Sequence, residues 1–135
     1  MVRGATEFNG ALVGWDTSKV TTMDSMFYEA KAFNSELAWD TSKVTTMEST
    51  FQVAGAFSQP LVWDTSNVAT MEGTFVRAEA FNRQLDWDVA SATSFDGMFS
   101  GSALAQDADA SLRQLTYELF SAKNENFTSA YPSWA

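Results

Sequence analysis

The chain has 135 residues, 45% of them hydrophobic, which is enough for one globular core, and nothing in it marks a second domain. With no cysteine and no histidine it lacks disulfides, thiol nucleophiles, imidazole relays and the usual zinc, copper or haem ligand sets, so no cofactor or metal site is expected. Eight basic against 17 acidic residues give a formal charge of −9, which repels phosphate backbones and anionic bilayers, and no run approaches the roughly 18 apolar residues of a membrane span, so neither nucleic acid nor a transmembrane segment is expected.

In chain order, the first segment MVRGATEFN aligns with Met26 to Asn34, MFYEAKAFN, so the chain enters within the turn portion of a repeating unit. The resulting open end is expected either to follow a processed or truncated N-terminus or to be covered by a partner. Trp15, Trp39, Trp63 and Trp87 then recur at a spacing of 24 residues, the first unit carrying one extra residue in LVGWD. A polar Thr-Ser step follows Trp-Asp at 17 and 18, 41 and 42, and 65 and 66; then come Val20, Val44, Val68 and, in the fourth unit, Ala92, and after them Met23, Met47, Met71 and Phe95. Phe27, Phe51, Phe75 and Phe99 form the next column, and Phe33, Phe57 and Phe81 close the unit. Such a period means a stack of short units that bury a shared core only against their neighbours. The Trp, Met and Phe columns are its expected interior ladders.

Short apolar segments around Leu-x-Trp and Val-x-x-Met, bounded by turn formers, predict strands of a few residues. The stretch from Asp24 to Ala30, with its equivalents from Glu48, Glu72 and Asp96, predicts one or two helical turns. Residues 1–104 are thus expected to be a repeat solenoid of about four coils of 24–25 residues, the first incomplete, with strand spacing of about 4.8 Å. Beyond them, residues 105–135 are expected to form a capping α-helix and an aromatic tail. From Asp107 the sequence places Ala108, Leu112, Leu115, Leu119 and Ala122 on one amphipathic stripe, with Tyr117 and Phe120 off it. Phe127, Tyr131 and Trp134 need a home on the cap or on another protein, and are candidate partner contacts.

The string FNSELAWDTSKVTTMESTFQVAGAF, from Phe33 to Phe57, resembles the BspA-like, mycoplasma-lipoprotein-type surface repeat, whose consensus runs close to FNxxLxxWDTSxVTxMxxMFxxAxxF. The resemblance covers residues 1 to about 104. It implies leucine-rich-repeat-like coils and a cell-surface setting, in bacteria as well as in protists and algae.

Two acidic columns invite functional readings. Asp16, Asp40, Asp64 and Asp88 have the calcium-binding reading, but the Thr-Ser that follows the first three is the composition of Asx and ST turns. Asp24, Glu48, Glu72 and Asp96 stand where carboxylates cap a helical turn. Neither column singles out a pair for acid–base catalysis, so no catalytic residue is assigned and the chain is read as a non-enzyme. The Thr21, Thr22, Thr45, Thr46 and Thr70 ladder has an ice-binding reading, although Ala69 and Ser94 interrupt it. Asn9, Asn34 and Asn82 are expected to hydrogen-bond within turns, Ser58 breaking the series; the sequon Asn126-Phe127-Thr128 matters only in a glycosylating compartment.

The sequence therefore points to a non-catalytic protein–protein interaction or scaffold module. The alternative is an accessory subunit of a larger assembly, such as an algal organellar or photosynthetic complex, docked through its ends. Ice-binding and calcium-binding repeats rank below both. Localisation follows the choice: cell surface by resemblance, or organellar after loss of a targeting segment.

Overall fold

The computed structural model describes residues 2–106 and 110–135. The repeat columns are stacked in register. Trp15, Trp39, Trp63 and Trp87 follow one another at 6.1, 6.3 and 6.2 Å between ring centroids, within 7° of parallel. Phe27, Phe51, Phe75 and Phe99 are spaced at 5.2, 5.5 and 5.7 Å. Phe8, Phe33, Phe57 and Phe81 are spaced at 6.0, 6.0 and 6.2 Å. The columns also touch within each coil, as at Phe75 and Phe81, 4.0 Å apart. Met23, Met47 and Met71 lie buried beside them.

This is not the β-strand, leucine-rich-repeat-like solenoid that the pattern predicts. Among the described residues there is no sheet, and the β-structure is three isolated parallel bridges, Thr22 to Thr46, Thr46 to Thr70 and Thr70 to Ser94. The segments around Leu-x-Trp make no backbone hydrogen bond from coil to coil. The indoles of this column stack more than 6 Å apart between ring centroids. The indole N–H joins the coils here instead: Trp39, Trp63 and Trp87 donate Nε1–H to the carbonyls of Leu12, Leu37 and Leu61 at 3.2, 3.0 and 3.1 Å. Buried Thr41 and Thr65 similarly donate their hydroxyls to the carbonyls of Asp64 and Asp88 in the next coil.

The expected helical turn from Asp24 to Ala30 is absent as well. Ser25 and Glu29 take φ of 53° and 56°, and the same two columns are left-handed in every later coil: Ser49 and Val53, Gly73 and Arg77, Gly97 and Gly101. A right-handed helix cannot pass through such residues. Alternate amides therefore divide their work. Met23, Ser25, Phe27 and Glu29 donate to the carbonyls of Thr46, Glu48, Thr50 and Gln52 at 2.8–3.0 Å, while Met26, Tyr28 and Ala30 donate to the carbonyl three residues back in their own coil. Each coil is thus a string of tight turns whose alternate amides hold the next coil.

The regular helices lie beyond the stack. The α1 helix spans Ser111–Ser121 and α2 spans Glu125–Ala130, with 3₁₀ turns at Leu104–Gln106 and Pro132–Trp134. The expected helix start at Asp107 and the stripe residue Ala108 lie outside the described residues, and α1 begins at Ser111. Its buried residues are Thr116 and Phe120, with Leu112, Tyr117 and Leu119 packed partly against the core, while Ala122 is exposed. The helix is rotated from the Leu112-Leu115-Leu119-Ala122 stripe so that Phe120 meets Phe95 at 6.5 Å, because covering an aromatic column buries more apolar surface than a leucine edge provides.

Candidate functional site

All eight column acids are exposed. Asp16, Asp40 and Asp64 each accept, through Oδ1, the backbone N–H and the hydroxyl of the serine two residues on, with N–H···O distances of 3.0–3.1 Å. These bonds stabilise the ionised form and hold the three carboxyls below the usual aspartate range, the serine hydroxyl contributing most and the serine N–H next. A carboxyl tuned this way is a turn acceptor rather than a proton donor. At Asp88 the carboxylate accepts the Ala90 N–H, with no hydroxyl at position 90 to add a second bond.

The second acidic column caps no helix, since none forms there. Instead the carboxylate of Asp24 accepts the Thr46 hydroxyl at 2.6 Å and the Glu48 N–H at 3.0 Å, both from the following coil. Among the described residues, no three metal-ligating side chains cluster. In the ladder with an ice-binding reading, Thr45 and Thr46 donate their hydroxyls to the adjacent coil, to the Thr21 carbonyl and the Asp24 carboxylate, while the Thr22 hydroxyl accepts the Asp24 N–H within its own coil. The asparagine rung is continuous where an amide exists to make it: Asn9 Oδ1 accepts the Asn34 N–H and Asn34 Oδ1 accepts the Ser58 N–H, whereas Asn82 Oδ1 is buried without a partner among the described residues.

The two ends of the stack provide the sharpest contrast. At the C-terminal end, side chains of the tail stand in for a missing coil. The amides of Phe27, Phe51 and Phe75 donate to carbonyls of the next coil, and the amide of Phe99 donates to the hydroxyl of Tyr131 at 2.9 Å. That hydroxyl in turn donates to the Phe95 carbonyl at 3.3 Å. Trp134 stacks on Phe99 at 5.5 Å, within the 5.2–5.7 Å spacing of the phenylalanine column. Phe127 is buried edge-on against Phe95 at 5.2 Å. Asn124 donates to the carbonyls of Val89 and Ala92, both at 2.7 Å, and Lys123 donates to that of Trp87 at 3.0 Å. Of the three candidate partner contacts, then, Phe127 is covered and Tyr131 and Trp134 are half-buried on the last coil. Burial pushes the Tyr131 phenol up to about 12, the Phe99 N–H opposing it.

At the N-terminal end the ladders lie open. Trp15 is 48% exposed although it stacks on Trp39, while Trp39, Trp63 and Trp87 are buried. Phe8 and Val20 are half-exposed where their later column-mates are buried. Val2 and Gly4 partly cover the coil by donating to the carbonyls of Met26 and Tyr28. A third feature lies on the Leu-x-Trp side, where Val62 is 95% exposed between two shallow depressions of about 200 and 440 Å³ that share Pro60 and Val62 in their linings.

The sequence did not reveal the capping roles of Lys123, Asn124 and Tyr131, which depend on partners more than 30 residues away. It did carry a signal for the left-handed columns: Gly73 and Gly97 occupy one of them and Gly101 the other.

No helix among the described residues is long and apolar enough to cross a membrane. No curated protein and no solved structure matches the chain. The family described as "Mycoplasma protein of unknown function, DUF285" matches residues 1–112, and the chain belongs to that family.

Proposed function

We propose that this family member is a non-catalytic protein–protein interaction or scaffold module, of the surface-repeat kind its BspA-like pattern suggests. One observation carries the reading: an apolar ridge on the Leu-x-Trp side of an otherwise acidic molecule. Val62 stands 95% exposed there, in the column that holds Ala38 in the preceding coil and turns acidic at Asp86 in the following one. The large aromatic residues are spent on stacking, and the column acids are spent on turns or lie in open solvent. What remains for recognition is rigid surface, which stacked repeats provide without a pocket.

A second reading, an accessory subunit fixed within a larger assembly, is favoured by the open first coil around Trp15. Replacing Val62 by a photo-crosslinking amino acid in the native cell tests the first reading, with exposed Glu79 as the control position. A discrete adduct from position 62 and none from position 79 is the expected result; no adduct from position 62 removes the interaction-module reading for this surface.

A further inference from the structure

We infer that the ridge at Val62 docks an extended segment of a partner protein, one that carries a pair of apolar residues flanked by lysine or arginine. The proposal rests on the interaction-module reading and names the chemistry of its partner. The first support is shape. Val62 belongs to a coil packed between two others, with exposed Ala38 in its column on one side and exposed Asp86 on the other. The depressions of about 200 and 440 Å³ share Pro60 and Val62, and Trp63 lines the first while Leu37 lines the second. An apolar side chain seated in either one exchanges water for contact with these groups.

The second support is the backbone. On the turn side, alternate amides are directed to the next coil, whereas the N–H and C=O groups of Ala38 and Val62 have no partner among the described residues. At a residue as exposed as Val62 such groups are open to a ligand. A helical ligand has already used its own backbone groups, but an extended one offers a donor and an acceptor at each residue. It also presents residues two apart on one face, about 7 Å from each other, so that a pair of them straddles a single valine.

The third support is charge, and it selects a basic occupant. Segments 34–40, 58–64 and 82–88, which carry the ridge, hold five acids, Glu36, Asp40, Asp64, Asp86 and Asp88, against one base, Arg83, whose Nε donates to the Ser58 carbonyl. Asp86 stands at the rim of one depression and Glu36 at the rim of the other, so the apolar track has a carboxylate on each side. From outside these segments the Lys43 charge reaches Asp40, and Lys123 approaches Asp86 at 3.8 Å, yet the Asp86 side chain remains 80% exposed. Glu36 is exposed and forms no ion pair among the described residues. Such a rim attracts a cationic segment and repels an acidic one.

Fluorescence anisotropy of labelled synthetic peptides, titrated with the full chain from about 1 to 500 μM, tests the proposal. The probe carries two leucines one residue apart, with paired lysines at each end; its controls replace the lysines by glutamates or the leucines by serines. The lysine–leucine peptide is expected to bind saturably, at least tenfold more tightly than either control, and more tightly at low than at moderate salt. At moderate salt Val62→Ser should weaken binding about tenfold and Glu36→Lys severalfold, both with an unchanged circular dichroism spectrum. Glu79→Lys makes the same charge change at an exposed position that lines neither depression, and should alter binding less than twofold. A control peptide that binds as tightly, binding insensitive to Val62→Ser, or equal effects of Glu36→Lys and Glu79→Lys overturns the proposal. No saturable binding of the lysine–leucine peptide, with a discrete adduct still formed from position 62 in the cell, overturns this partner and leaves the interaction-module reading standing; no adduct from position 62 removes that reading, and this partner with it.

Discussion

The first and last coils carry the same repeat but end in opposite ways. Trp87 is buried, its carbonyl held by Lys123, and the next aromatic column is closed by Trp134 and Tyr131. Trp15, in the same column as Trp87, is half in water. A rung's contribution in such a stack is set by whether both of its faces are covered, because the ring itself and its neighbour on one side are the same in both places. The C-terminal tail supplies substitutes atom by atom: a phenolic oxygen for a backbone carbonyl, an indole for a phenyl ring. No comparable substitute covers Trp15 among the described residues.

The largest test of this contrast is a pair of substitutions. Trp87→Ala should cost about 3–5 kcal/mol of stability, as expected for an aromatic removed from a packed core. Trp15→Ala should cost about 1 kcal/mol, since much of its surface is already solvated. Urea unfolding checks both; equal losses would show that Trp15 is covered in solution.

The closed end has a pH signature of its own. Tyr131 has its pKa raised to about 12 from 10.0, so the folded state holds the phenolic proton more tightly than the unfolded state. Its contribution is fully present below about pH 10, declines as the unfolded chain deprotonates first, and is gone above about pH 12. The span corresponds to about 2–3 kcal/mol. Tyr131→Phe should lower stability at neutral pH by about 1–2 kcal/mol, because the Phe99 N–H loses its acceptor, and should flatten the alkaline limb of stability against pH. An unchanged alkaline limb would separate the closed end from Tyr131.

The smallest effect sharpens the comparison by strengthening the middle of the stack without touching either end. Val53 is β-branched at a φ of 61°, in the column that ends in Gly101. Val53→Gly should stabilise the chain by about 1 kcal/mol, through relief of the left-handed strain that a β-branched residue bears most heavily. Thermal unfolding reads this as a rise in Tm of a few degrees; a fall would mean that the side chain's packing outweighs the strain.

Much of the interior was legible from the 24-residue offsets, because a residue repeated in one column of a stack must meet its own kind. The Asp-Thr-Ser steps likewise announced the turns at Asp16, Asp40 and Asp64, where donor and acceptor are two residues apart. Local backbone was harder to read. Apolar spacing from Asp24 to Ala30 suits a helix, and the left-handed columns that forbid one are marked by glycine only in the third and fourth coils, with Ser25, Glu29, Ser49, Val53 and Arg77 concealing them elsewhere. Leu-x-Trp reads as a strand by composition, yet these segments are joined from coil to coil by the indole N–H to a leucine carbonyl and by no backbone hydrogen bond.

The sequence by itself determined which side chains share a ladder, since period and register are properties of the chain alone. Tertiary structure decided how those ladders are held and closed: alternate amides directed to the next coil, indole N–H groups bridging where backbones do not, Phe120 turned inward, and Tyr131 placed at the last edge. These depend on distances between groups 23 to 36 residues apart, and such distances are fixed only when the coils stack.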